Sequence, residues 1–152
     1  MRLNLAVVGS ICALTLASCS SLTIEHVSYG WPVEVVETVN PANMVVADRY
    51  GLTLSLSKIA ENEFQDSSAL KGTQIRLLRN TEGCYFITGP RFKNVYVFHP
   101  DYSRLVKESI IAVSESGLKN PAFNLRPPYV ELVDNGIRKL LSSSDIVEEK
   151  TP

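Results

Sequence analysis

From Trp31 onward, short runs of alternating apolar and polar residues are interrupted about every 8 to 12 residues by clusters of Gly, Pro, Asn, Asp and Ser. Successive side chains of a strand point to opposite faces, so a period of two marks a ribbon with one face in a core and one in water. Leu52-Thr53-Leu54-Ser55-Leu56-Ser57 is the clearest case, with three leucines on one face and three hydroxyls on the other. No alternation of strand and helix patterns is present, which argues against the nucleotide-binding α/β architectures. The expected fold is all-β: an antiparallel β-sandwich or small barrel of about seven to nine short strands.

The individual strands follow from the same rule. Val33, Val35 and the interleaved Glu34, Val36 and Glu37 read as a strand stopped by Asn40-Pro41-Ala42-Asn43, with Met44 to Ala47 as its hairpin partner and Asp48-Arg49-Tyr50-Gly51 as the next turn. Glu61 to Lys71 is polar and loop-like, with at most a helical turn. Thr73 to Leu78 is extended, and Cys84 to Phe98 reads as a hairpin around a basic tip, Gly89 to Asn94. Lys107 to Ser114 is a further strand. Leu118 to Pro128 holds Asn120-Pro121 and Arg126-Pro127-Pro128 without a period, the pattern of a covering loop.

Tyr129 to Val133 and Ile137 to Leu141 flank Asp134-Asn135-Gly136. Asn-Gly favours the positive φ angles of a type I′ turn, which predicts a hairpin. A short helix is the rival, because Ile137, Leu140 and Leu141 also fit helical spacing. Ser142 to Pro152 reads as a polar, frayed tail.

The N-terminus has a different pattern. Met1-Arg2 supplies one positive charge, and Leu3 to Leu16 is mostly apolar, the layout of an export signal. A helix needs about 20 apolar residues to span the hydrocarbon core, and this run is shorter. It ends in Leu16-Ala17-Ser18-Cys19, a leucine and two small residues before a cysteine. The stretch resembles the lipobox of bacterial lipoprotein precursors.

That resemblance implies a helical signal peptide over 1–18, cleavage before Cys19, and a thioether between Cys19 and a diacylglyceryl group, with palmitate-type chains holding the protein on a membrane. Each buried methylene contributes about 0.8 kcal/mol, and two or more chains anchor stably. Lipoproteins of two-membrane bacteria that stay at the inner membrane commonly carry Asp after the cysteine. Ser20 here implies the outer membrane, facing the periplasm or the cell surface. An ordinary secreted protein cleaved near Ala17 is the competing reading.

The implied processing alters the rest of the arithmetic. Residues 19–29 become a lipidated cysteine and tether, 30–141 a single β domain and 142–152 the tail. Ser20 to Tyr29, if extended, reaches at most about 35 Å, which keeps the domain near the membrane. Loss of Arg2 leaves 14 of the 15 Lys and Arg against 16 Asp and Glu, a balance with no sign of nucleic acid binding or of a polybasic lipid patch. Of the three cysteines, Cys12 leaves with the leader and Cys19 takes lipid. Cys84 then stands alone, without a disulfide partner and most simply as a small buried hydrophobe.

Catalytic patterns are sparse. Cys84, His99 and Asp101 are the one trio that could join a nucleophile to a base, because a hairpin brings Cys84 and His99 together. The plainer reading is a buried thiol and a turn histidine. His26, His99 and Cys84 lack paired zinc-ligand spacing. Glu61-Asn62-Glu63 with Asp66 lacks the alternating oxygens and central Gly of a calcium loop, and reads as a solvated acidic stretch. No Gly-rich phosphate loop, Ser nucleophile elbow or HExxH is present.

Arg91-Phe92-Lys93 in the hairpin tip has the composition of an interface hot spot, an aromatic ring between two cations, and is the candidate partner contact. A loop folding its own Phe onto the sheet is the alternative. The expected function is a membrane-anchored envelope lipoprotein acting as a non-catalytic binding or assembly module with an envelope protein partner and no cofactor or metal. The alternative is a small-ligand carrier or a cysteine-dependent enzyme using Cys84 and His99.

Overall fold

The computed structural model describes residues 34–47 and 52–147. These form eleven strands and one helix. In chain order they are β1 Val35–Thr38, β2 Val45–Ala47, β3 Thr53–Ser55, α1 Ser57–Phe64, β4 Gln74–Arg79, β5 Tyr85–Thr88, β6 Asn94–Asp101, β7 Arg104–Ala112, β8 Pro121–Arg126, β9 Tyr129–Asp134, β10 Ile137–Leu141 and β11 Ile146–Val147. All pairings are antiparallel. A five-stranded sheet runs β1-β4-β5-β6-β7, a four-stranded sheet β11-β10-β9-β8, and β2-β3 is a separate ribbon. The fold is all-β and sandwich-like, and the described strands form no closed barrel.

Register explains why the five-stranded sheet is buried on both faces. Leu77, Ile87 and Tyr96 stand opposite one another across β4, β5 and β6, and so share a face. Leu78, Phe86 and Val97 form the adjacent row on the other face, and all six are at most 2% exposed. On the first face, the Tyr96 ring meets the edge of Phe92, whose ring meets Phe64 of α1 at 5.7 Å. On the second, Phe86 meets Phe123 of β8 in a T-shaped contact at 6.4 Å. The sheet is therefore the middle layer, with α1 on one side and the four-stranded sheet on the other. Glu34 ties the second pair of layers together: it accepts from Arg76 of β4 and from the Phe123 N–H of β8, each at 2.7 Å.

Several sequence expectations are met. Leu56 is fully buried while Thr53 and Ser55 are exposed, as the alternation requires. Asn135 and Gly136 have φ of 48° and 82°, so the β9–β10 link is the type I′ hairpin and the helical rival is excluded. The basic-tipped hairpin is β5–β6, with Tyr85 across from Phe98.

Other expectations need correction. β2 pairs with β3 and not with β1, whose neighbour is β4. The 61–71 stretch is preceded by, and partly belongs to, the two-turn helix α1. Its Leu56 cap makes no side-chain bond, so burial of Ile59 and Ala60 holds it where propensity alone would not. Gln65, at φ 57°, ends it in the left-handed region.

The 118–128 covering loop contains β8, an edge strand. Pro121 opens it, a position where the missing N–H costs no ladder bond. The tail is ordered as far as β11, whose Ile146 and Val147 pair with Leu141 and Leu140, so the count rises from nine strands to eleven. The expected turn at Asp48-Arg49-Tyr50-Gly51, the 1–18 leader, the tether and residues 148–152 lie outside the described residues.

Candidate functional site

At one end of the sandwich the chain leaves β7 through Ala112, Val113, Ser114 and Glu115, and the β9–β10 turn stands opposite. Between them is an open cleft of about 620 Å³. Leu118, Leu132, Asp134, Ile137 and Lys139 complete its lining. Register fixes who faces it: Ile137 and Lys139 share with Leu132 and Leu141 the face of β10 turned to the other sheet. Lys139 spans the gap, its Nζ donating to the Val113 carbonyl at 2.6 Å.

Asp134 organises the opposite wall. Its carboxylate accepts from the backbone N–H groups of Lys119 at 3.0 Å and Asn120 at 2.6 Å, which holds the entry to β8 against the β9–β10 turn. Val113, Leu118 and Leu132 are nearly fully buried, while Ile137 remains 66% exposed. The cleft thus offers apolar walls, a half-buried ammonium and the exposed carboxylate of Glu115. Such a constellation suits binding: apolar area supplies affinity and a few polar groups fix orientation. No group of three His, Cys, Asp or Glu that could hold a metal is found among the described residues.

The site residues read from the sequence lie elsewhere. Phe92 is fully buried, ringed by Phe64 and Tyr96, so it is the loop's own anchor and not an exposed interface ring. Arg91 and Lys93 are exposed, the first held through its guanidinium and the second through its backbone. The Arg91 guanidinium sits 5.0 Å above the Phe64 ring, and the Lys93 N–H donates to Glu63 Oε2 at 2.8 Å. Glu63 also accepts from Asn94 Nδ2 at 2.7 Å, so this member of the acidic stretch is a clamp on the hairpin tip. Burial, and then the charge of Glu63, pushes the Tyr96 hydroxyl well above its ordinary range.

The tip is held from the other side as well. Arg91 N–H donates to Leu118 O at 2.7 Å and Leu118 N–H to Phe92 O at 2.8 Å. Gly117, at φ +91°, permits that approach, because a Cβ there would lie 2.8 Å from the Arg91 carbonyl oxygen.

Cys84 is buried, and its thiol is pushed up by desolvation first and by Glu108 and Glu82 after it, a direction opposite to an activated thiolate. His99 is turned to Glu108, with Nδ1 2.7 Å from Oε2 but without hydrogen-bond alignment, while Asp101 binds Arg104 at 3.0 Å. The three-residue constellation of Cys84, His99 and Asp101 is therefore split between different partners. A β-bulge at Val97 and Phe98 makes Glu108 the extra residue of β7 and aims it at His99. Leu16, Ala17, Ser18, Cys19 and His26 lie outside the described residues.

Sequence reading missed Lys139 and Asp134, although the turn contained the signal. Once Asn135-Gly136 fixes the hairpin, Ile137, Lys139 and Leu141 must share a face, and a lysine between two apolar residues on a core-facing row marks an opening in the core. No protein-family model matches this chain, and comparison with curated proteins and with solved structures found no match.

Proposed function

We propose that this chain is a membrane-anchored envelope lipoprotein whose β domain is a non-catalytic binding or assembly module. The observation that carries the proposal is the charged and then apolar leader ending in Leu16-Ala17-Ser18-Cys19, ahead of the β domain in the sequence. Cys19 carries the lipid, Ser20 favours the outer membrane, and the cleft between Val113 and Ile137 is the face offered to an envelope protein. Its exposed isoleucine beside charged groups of both signs has the composition of a protein contact, an apolar centre with a polar rim.

Cys19→Ala tests the anchor: the variant folds, loses lipid labelling and leaves the membrane fraction. A Cys19→Ala protein that is still lipidated overturns the assignment. A photoreactive residue at position 137 tests the module, with a crosslink to an envelope protein expected and none from the exposed control position 102.

A cysteine-dependent enzyme would instead need Cys84 to alkylate rapidly at neutral pH in the folded protein. Its burial and raised thiol favour slow modification.

A further inference from the structure

The two ends of the five-stranded sheet differ in what they carry. Val35, Leu77, Ile87 and Tyr96 stand in one row across β1, β4, β5 and β6. β1 runs from that row toward Thr38 opposite Gln74, so the chain enters β1 from the end where Arg79, Tyr85 and Phe98 form a row. Beyond Phe98 the β6–β7 arm projects from this same end. The opposite end leads through Asn94 and Ala112 into the cleft. Chain entry and arm therefore share one end of the sheet, and the cleft occupies the other.

The arm outreaches its neighbour. The β4–β5 turn reverses within Asn80–Cys84, where the Asn80 N–H donates to the Cys84 carbonyl. β6 instead continues through His99, Pro100 and Asp101 before turning, which carries Tyr102 roughly 10 to 14 Å past Phe98. Tyr102 is fully exposed and has a φ of 53°, in a turn position where Asn, Asp or Gly is the ordinary choice, so the turn itself does not call for this ring. From Pro100 to Leu105 the charged residues are Asp101 and Arg104 alone, and they pair at 3.0 Å, which leaves the tip neutral. Pro100 and Leu105 stand opposite one another just behind the turn and add apolar surface.

We propose that Tyr102 is a second membrane contact: the arm tip rests in the headgroup region of the bilayer that holds Cys19, which turns the cleft and Ile137 away from the surface and toward a partner. The inference rests on the lipid anchor proposed above and adds the orientation of the domain. Tyrosine suits that depth, because its ring is apolar while its hydroxyl stays wet, and such rings concentrate at membrane interfaces. A neutral tip meets no net repulsion from anionic headgroups. One ring binds a bilayer weakly by itself. Glu34 follows Cys19 by fifteen residues, a span of at most about 54 Å, so the anchor keeps the tip at high effective concentration near the surface.

The lipidated full-length protein in vesicles of phosphatidylethanolamine and phosphatidylglycerol tests it, with part of the lipid carrying a nitroxide beside the headgroup. The fluorescence of Tyr102→Trp should be quenched at least about twofold more than that of the parent, whose one tryptophan is Trp31. Ile137→Trp should show no quenching beyond the parent. A Tyr102→Trp signal untouched by the nitroxide, in protein that floats with the vesicles, overturns the proposal and leaves the anchor standing. So does equal quenching at 102 and 137. Protein that does not float refutes the anchor, and this contact with it.

Discussion

Strand β6 is entered from the five-residue loop Gly89–Lys93 and left through the two-residue turn Tyr102-Ser103. Each connection carries an aromatic ring, and the rings end in opposite places: Phe92 is fully buried and Tyr102 fully exposed. Loop length accounts for the difference. Five residues are enough for the chain to double back and lay Phe92 on Tyr96, with Glu63 and Leu118 holding the returning backbone from two sides. A two-residue turn has no slack. Beyond Phe98, β6 pairs among the described residues with β7 alone, so Tyr102 tips a two-stranded arm. Composition alone ranks Arg91-Phe92-Lys93 as the better interface, but the reach of the backbone decides which ring is available.

Substitution separates the roles of the two connections. Phe92→Ala should have the largest effect, a loss of about 3–5 kcal/mol, since it empties a site between Phe64 and Tyr96; a melting temperature near that of the parent would refute the anchoring role. Gly117→Ala should cost about 1–3 kcal/mol, because it combines a positive φ with the 2.8 Å approach to the Arg91 carbonyl, and denaturant titration measures it. Glu63→Ala should cost about 1.5–3 kcal/mol by releasing the Lys93 N–H and the Asn94 amide, and should raise exchange at the Lys93 amide. Tyr102→Ala should change stability by no more than about 0.5 kcal/mol. A larger loss would show that the arm tip has a partner within the fold.

Acid gives a separate handle on the outer face of the four-stranded sheet. Glu131 is only 6% exposed, and the Asn124 amide above all, then Arg126 and Arg138, hold its carboxyl below the ordinary value near 4.5, against the opposing effect of burial. A carboxyl depressed in the folded state stabilises the fold fully above the unfolded-state pKa, and that contribution is lost as pH falls through the folded value. Glu131→Gln should therefore melt lower than the parent at pH 7, with the two curves converging as pH falls through the lowered folded-state value. Parallel curves across that window would show that the carboxylate charge contributes nothing.

Legibility in the sequence followed how local the cause was. The Leu52–Leu56 alternation and the Asn135-Gly136 turn are local; the first forms a strand, and the second resolves the choice between hairpin and helix at 137–141 in favour of the hairpin. α1 was missed because its apolar residues, Ile59, Ala60 and Phe64, span only two turns and its cap carries no polar side chain. β8 was hidden by Pro121 at its start and by Pro127-Pro128 just past its end; a proline that would break the ladder of an interior strand is tolerated where Pro121 opens an edge strand. Burial of Phe92 depended on Phe64 and Leu118, partners distant in sequence. The cleft also depends on long-range placement, with only the core-facing Lys139 as a local trace.

The proposed anchor makes lipidated Cys19 the N-terminus of the mature protein. Mass spectrometry of the N-terminal peptide, from protein made in a two-membrane bacterium, tests it directly. A peptide beginning at Cys19 with a diacylglyceryl thioether on its sulfur is expected. A peptide beginning at Met1, or one cut near Ala17 with an unmodified Cys19, would contradict it.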